Sequence, residues 1–536
     1  MPVQRIAFKD WLPDQPSVLD TVSEANNVIP LAVGYGAFKS AVNYSGVATE
    51  DLNNCFAAKV NADVSIFAGG STKLFKVSST DLSMEDVSKS GGYTGINRWQ
   101  FVQFGNYTLA SNGSEKIQYF DVNVSTDFAD LAAAAPVAKY ITVVRDFVVG
   151  ANIGAGTYPS RVQWSDINDA TDWTAGAASQ SDYQELPDGG DITGITGGEF
   201  GIVFLEKAIV RMSYIGSPLF FQFDTISRNV GCIEGNSIAQ YSGTAYFLSD
   251  DGFYATNGQT LTGIGSEKVD RYFFNNANIG DIDSISVAVD PERNLVIWNY
   301  GNVSGGRSLL IYNFETQKWC EADTDVDYLS TLATPGATLD GLDAAYNVTA
   351  GAFVVGKSYT IRTVGSTSFT AIGAVANTVG VLFTATGAGS GTGVAIDMAA
   401  SAAGLKTEDT LVTTLDDRLY KGGKFLFGGV RDTRIITFTG TYATGSIITN
   451  DLEYGYNSVL TLIRPSVDNG SANIQVASRK MLDDTISYGS SVSASQEDRC
   501  SVRSAGRYHR VALTPTGANW SSAIGMDIDY SEQGTR

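Results

Sequence analysis

Short runs of β-branched and aromatic residues, each closed by Gly, Asn or Asp, recur along most of the chain. Val64–Phe67, Gly69-Gly70 and Leu74–Val77 make one unit, and Phe101–Phe104, Gly105-Asn106 and Ile117–Val122 the next. The pattern returns at Ile141–Val149, at Gly201–Ser213, at Ala245–Tyr254 with its Asp251-Gly252 turn, and at Ser286–Asn299 followed by Leu309–Phe314. Such runs fill pleated, half-buried faces, and the residues between them suit tight turns. Units start roughly 40 to 55 residues apart, the period of a four-stranded propeller blade. The reading is an all-β chain whose residues from about 30 to 430 close into a propeller of six or seven blades. Closure removes the free strand edges that would otherwise pair with other chains. The best helical candidate is Asp127–Ala135, short and stopped by Pro136.

Composition agrees with many short strands. The 536 residues include 57 Gly, 25 Tyr and 26 Phe, with only 17% charged residues. The first residues, Met1 to Arg5, lead into polar sequence with no apolar signal region, and no uncharged apolar stretch reaches the ~20 residues that span a bilayer. Cys55, Cys232, Cys320 and Cys500 lie far apart in β-rich surroundings and read as buried small hydrophobes.

Composition shifts divide the chain. Residues 1–29, with Trp11-Leu12-Pro13 and Asn27-Val28-Ile29-Pro30, are expected as an extended arm that pairs with the last blade or with a neighbouring chain. Residues 30–344 carry the blades. Charged residues nearly vanish over 345–396, which read as a small inserted β module, and 397–430 complete the last blade. Alternation in Ile435–Phe438, Val459–Ile463, Ile474–Ala477, Tyr508–Leu513 and Met526–Tyr530 predicts a separate C-terminal β-sandwich-like domain over 431–536. Its deletion is expected to leave a folded propeller.

Charge follows the same division. The net charge is −21, yet residues 412–536 hold 13 Lys/Arg and 13 Asp/Glu, so the acidity lies in residues 1–411. An acidic surface repels phosphate and argues against a nucleic-acid clamp. It suits a path along which DNA slides without sticking, and equally a soluble glycine-rich surface.

Candidate chemistry is sparse. The one histidine, His509, sits in an alternating run, Gly506-Arg507-Tyr508-His509-Arg510-Val511, with no nucleophile elbow to serve it. It reads as a strand residue bonding a neighbour. No Cys-x-x-Cys or His-x-x-x-His offers a zinc set. Asp323, Asp325 and Asp327 alternate as in a calcium loop, but Tyr328 stands where glycine is needed, so they read as solvent-facing carboxylates of an edge strand. Gly351 to Ser358 match the phosphate-loop pattern, but the following Tyr359-Thr360-Ile361-Arg362-Thr363-Val364 is strand-like rather than helical. Asp166, Asp169, Asp172, Glu185, Asp188 and Asp191 near Trp164 and Trp173 could serve paired-carboxylate chemistry on sugars, or simply shape turns. No catalytic, cofactor-binding or metal-binding residue is assigned.

Several segments together carry a resemblance. They are Arg145-Asp146-Phe147-Val148-Val149 leading to Trp164-Ser165-Asp166, and Pro187 to Ile195 followed by Gly201-Ile202-Val203-Phe204 and Ile209-Val210-Arg211-Met212. Further ones are Gly231-Cys232-Ile233 with Ala245 to Leu248 and Asp251 to Tyr254, then Asp290 to Trp298 with Leu310 to Asn313 and Trp319-Cys320. Gly506 to Val511, Trp520, Ala523 to Gly525 and Asp527 to Tyr530 complete the set. As a set the chain resembles the tail hub or nozzle proteins of short-tailed bacteriophages. The resemblance implies a structural virion protein, assembled in the host cytoplasm as a ring, usually of six copies, below the portal and adaptor. Such a ring continues the DNA-ejection channel without specific DNA binding and anchors fibres or a tip protein. No active site comes with it. The 345–396 segment departs from the hub pattern and is similar to a small β module found in unrelated phage structural proteins. The alternative from another class is a host-surface, glycan-binding fibre or lectin-like propeller using Trp164 and Trp173, with a polysaccharide depolymerase behind it.

Overall fold

The computed structural model describes residues 3–61, 63–78, 82–95, 98–333, 347–397 and 425–533. Seven four-stranded antiparallel meanders follow one another. The first runs Leu52–Val60, Asp63–Gly70, Leu74–Val77, Met84–Asp86; the second Gln100–Phe104, Tyr107–Ser111, Gln118–Asp121, Ala129–Asp130; the third Ala138–Val144, Phe147–Ile153, Tyr158–Trp164, Asp182–Glu185. The fourth is Ile192–Thr196, Gly201–Leu205, Ile209–Gly216, Phe220–Ser227; the fifth Ala239–Tyr241, Thr244–Leu248, Phe253–Thr256, Leu261–Gly263; the sixth Ser286–Asp290, Leu295–Gly301, Arg307–Asn313, Lys318–Thr324. The seventh is assembled from distant parts: Tyr328–Ala333, Phe425–Arg431, Arg434–Thr437 and, outermost, Val42–Asn43. The last blade thus reaches Thr437 and borrows a strand from the start of the chain, past the expected boundary at 430.

Every neighbouring pair of blades is bonded, which closes the ring. Asn54 Nδ2 donates to Trp99 O, Ser111 Oγ to Ala138 O, Gln240 Nε2 to Gly197 O and Trp298 Nε1 to Ser237 O. Val144 bridges Gly198, Thr331 Oγ1 donates to Val289 O, and Ser330 Oγ donates to Asn54 Oδ1. The chain is therefore a seven-bladed β-propeller with additions. Between blades the buried faces interlock as layers of aromatics. Phe67, Trp99, Phe120 and Phe128 fill the first gap, and Phe147, Trp164, Met212 and Phe221 fill the third. The Gly105-Asn106 link joins Phe104 to its partner Tyr107 across a two-residue hairpin, with Gly105 at φ +57° where an L side chain is strained.

The remaining described strands differ from the expected layout in two ways. Residues 3–30, expected as an arm, are built into the C-terminal sheet: Val3–Ala7 and Tyr35–Ala37 pair with Ser522–Glu532, and Val22–Asn26 pairs with Ser446–Thr449. The C-terminal strands Leu452–Asp468, Ser471–Arg479, Cys500–Thr516 and Ser522–Glu532 are antiparallel, but their domain is not separate. Val22–Asn26 also pairs in parallel, at Asn26 and Glu321, with the outer strand of blade six, so one sheet of 14 strands runs through both parts. Trp11, Trp298, Trp319, Leu513, Trp520 and Ile528 belong to one continuous core. Cutting away residues 431–536 would strip blade six of half its packing, so the expected free-standing propeller does not follow.

The insert forms its own four-stranded sheet, in the order Asn347–Thr349, Val394–Asp397, Ser358–Thr363, Leu382–Thr384, around Phe353, Tyr359, Ile361, Phe369 and Phe383. Asp127–Ala135 is no helix; it holds the two-residue strand Ala129–Asp130. The one α-helix among the described residues, α1 (Asp270–Asn276), links blades five and six.

Candidate functional site

The residues singled out by sequence are taken up by the framework. His509 is buried, with Nε2 2.8 Å from Ser458 Oγ and Nδ1 2.6 Å from Ser478 Oγ. Burial pushes its imidazole down to about 4, so it is neutral at pH 7. This is the strand residue bonding its neighbours that the sequence suggested. Trp164 and Trp173 are buried at 2% and 4% exposure, so neither can offer a face to a sugar. Their indole N–H groups donate to Gln180 O and Ala170 O. The nearby carboxylates cap turns or pair: Asp166 accepts from Gln180 N, Asp169 from Thr171 N and Oγ1, Asp172 from Thr174 N, and Glu185 from Arg161 at 2.6 Å. Asp188 lies 3.8 Å from Arg228, and Asp191 offers its backbone carbonyl to Glu206 N. The Thr171 bonds hold Asp169 below the usual carboxylate range, the wrong direction for a general acid.

The phosphate-loop match is a turn into the strand Ser358–Thr363, with Lys357 paired to Asp397 at 2.9 Å. No helix N-terminus faces it. Asp323, Asp325 and Asp327 diverge, accepting from Asn26 and Asn27, from Arg431, and from Asp432 N respectively. The strand that bears Asp323 is no edge, since Val22–Asn26 lies beside it. Among the described residues no group of three or more His, Cys, Asp or Glu is placed to hold a metal ion. All four thiols are free and buried. Burial raises them, Cys55 and Cys232 to about 12.

Two places that sequence reasoning missed concentrate charge. The first is the propeller axis. Arg98, just before blade two, donates from Nη1 to Ile285 O of blade six at 3.2 Å and from Nη2 to Leu329 O of blade seven at 3.3 Å. Its guanidinium stands 4.5 Å from the centre of the Tyr328 ring. Beside it Gln100 Nε2 donates to Asn236 Oδ1 of blade five. Burial lowers the Arg98 guanidinium to about 10. The axis is thus crossed by a side chain rather than left as an open pore.

The second is the seam where residues 9–28 run between blade six and the C-terminal strands. Trp11 is buried edge-on against Tyr272 of α1, with ring centres 5.1 Å apart. The Asp14 carboxylate accepts from Arg271 N at 2.9 Å and Tyr272 N at 2.8 Å, satisfying free donors of the first helical turn. Gln15 Nε2 donates to Glu267 O, Lys318 pairs with Asp10 at 3.0 Å, and Asn27 N donates to Glu321 O. A cleft of about 570 Å³ opens beside it, lined by Asp14, Asp251, Glu267, Asp270, Arg271 and Phe274 among others. The Asp270 carboxylate lies against Gly252 and Gly265, where any Cβ would overlap it. No local pattern marks this seam, because its contacts join residues about half the chain apart.

Among the described residues no helix is long and apolar enough to cross a membrane. No family model matches the chain. No curated protein matches it. Among solved structures, a chain in a crystal structure of the mitotic checkpoint complex is similar at 11% identity and a TM-score of 0.35, over 55% of this chain and 88% of that one. The dihydro-heme d1 dehydrogenase NirN is similar at 12% identity and a TM-score of 0.28, over 55% of this chain and 59% of that one. Likeness at this level carries no argument, and the propeller assignment rests on the strand order and the blade-to-blade bonds.

Proposed function

We propose that this chain is a structural subunit of a short-tailed bacteriophage tail, a hub or nozzle protein that forms a ring of six below the portal and adaptor. The ring continues the DNA-ejection path and carries fibres or a tip protein, and it assembles in the host cytoplasm. The observation that most supports a scaffold is the shared core. Propeller and terminal strands are joined through one sheet and one apolar cluster, which suits a part that transmits load rather than a jointed binder. The sequence resemblance supplies the tail. Absorption of the candidate catalytic carboxylates into turns and ion pairs supports a structural over a chemical role.

With Arg98 across the propeller axis, the DNA path in this reading runs between subunits, not through a blade ring. The glycan-binding alternative loses Trp164 and Trp173 to the core. It keeps Tyr158 and Tyr183, both already stacked on Arg161. Mass spectrometry and antibody labelling of purified phage particles test the assignment. The chain should be found in the tail below the portal. Its absence from particles would end the proposal.

A further inference from the structure

Two sets of carboxyl groups crowd the strap of residues 9–28. Glu321, on the outer strand of blade six, accepts a hydrogen bond from Tyr272 Oη at 2.6 Å. Glu24 of the strap and Asp323 of the same strand lie within its electrostatic reach, with Tyr300 on the neighbouring strand behind it. Asp270, at the start of α1, accepts from Phe253 N at 3.0 Å and is faced by Asp14 of the strap and Asp251 of blade five, which accepts from Tyr254 Oη. The nearby cations are engaged elsewhere. Arg271 reaches Asp14, Lys268 donates to Gln317 O, and Lys318 pairs with Asp10. Among the described residues neither Glu321 nor Asp270 has a Lys or Arg at ion-pair distance.

We propose that this seam is a proton-controlled joint: while Glu321 and Asp270 carry protons the strap is clamped to blade six, and loss of those protons loosens it. The inference stands apart from the tail reading and needs only the seam's geometry. Burial first, then Glu24 and Asp323, raise Glu321 to about 7 against the opposing Tyr272 bond. Burial first, with Asp14 and Asp251 adding to it, raises Asp270 to about 6 against the Phe253 bond. Unfolded carboxyls titrate near 4. Between about pH 4 and pH 7 the docked seam therefore holds more protons than the released one, and its stability falls as pH rises through that window. The strap is the part to yield, because a single pairing, Asn26 with Glu321, ties it to the blade six sheet.

The chain carries its own reporter. Cys320 is buried beneath the strap, its thiol donating to Val28 O at 2.9 Å, whereas Cys55 and Cys232 are buried in blades one and five. Thiol labelling of the full chain with 4,4′-dithiodipyridine, followed by mass spectrometry of each cysteine, gives a ratio of Cys320 to Cys55 and Cys232 that cancels the reagent's own pH dependence. The ratio should rise by about fivefold or more from pH 5.5 to pH 8. Glu321→Gln combined with Asp270→Asn should flatten it, and Glu321→Gln alone should reduce the rise if the pair does not fold. A flat ratio in the unaltered chain, or an unchanged rise in the variants, would overturn the proposal.

Discussion

Arg98 joins three blades through one side chain. Its bonds to Ile285 O and Leu329 O fit a planar fork with several donors, a geometry that a lysine ammonium does not reproduce. Arg98→Met keeps the stem but removes both donors and the ring contact with Tyr328. It should lower stability to urea unfolding by about 2–4 kcal/mol, with Arg98→Lys recovering less than half. A loss below about 0.5 kcal/mol would show that the axis does not depend on it. His509 makes the opposite kind of prediction. Its imidazole is held near 4 in the fold and titrates near 6.5 when unfolded, so the unfolded chain binds more protons between those values. Stability should fall as pH drops from 6.5 to 4, and His509→Gln should remove that part of the slope in a thermal-unfolding series. His509 was legible as a bonded strand residue because alternation placed it on the inner face. Arg98 was not, because its partners stand 187 and 231 residues away and nothing local marks it.

At the scale of elements, blade rhythm could be read directly: turn residues and two-residue periodicity are local, and they agree with strands such as Phe147–Ile153 and Leu295–Gly301. The helix was misplaced for the opposite reason. α1 is capped at its start by Asp14, 257 residues before Arg271, so the group that satisfies its first turn lies outside any local window. The same distance hid the seventh blade, whose outer strand Val42–Asn43 comes from the other end of the chain. Two deletions separate these kinds of element. The insert begins and ends side by side, with Asn347 paired to Ile396, and its sheet pairs with no other described strand. Replacing 347–397 by a short Gly/Ser link should move the melting temperature by less than about 3 °C. Removing residues 1–45 takes a strand from blade seven and four from the C-terminal sheet, and should abolish cooperative unfolding. Equal effects from both deletions would refute this division of the chain.

For the whole molecule, charge and joined architecture bear on the proposed role. The −21 net charge lies in residues 1–411, which hold the described strands of six complete blades. A wall drawn from that part would leave phosphate without cationic partners, and passage of DNA would release few counterions. Purified protein should therefore not retain duplex DNA even at about 20 mM salt, and tight, salt-sensitive binding would contradict a non-stick path. Head-to-tail contacts that close by rotation are what a ring requires, and they set a definite copy number. The most direct test is native mass measurement, with symmetry-free image averaging, of the assembled form taken from particles. The account predicts six copies of the 56.9 kDa chain in a closed ring around a central opening. A monomer, or a trimer without such an opening, would contradict it.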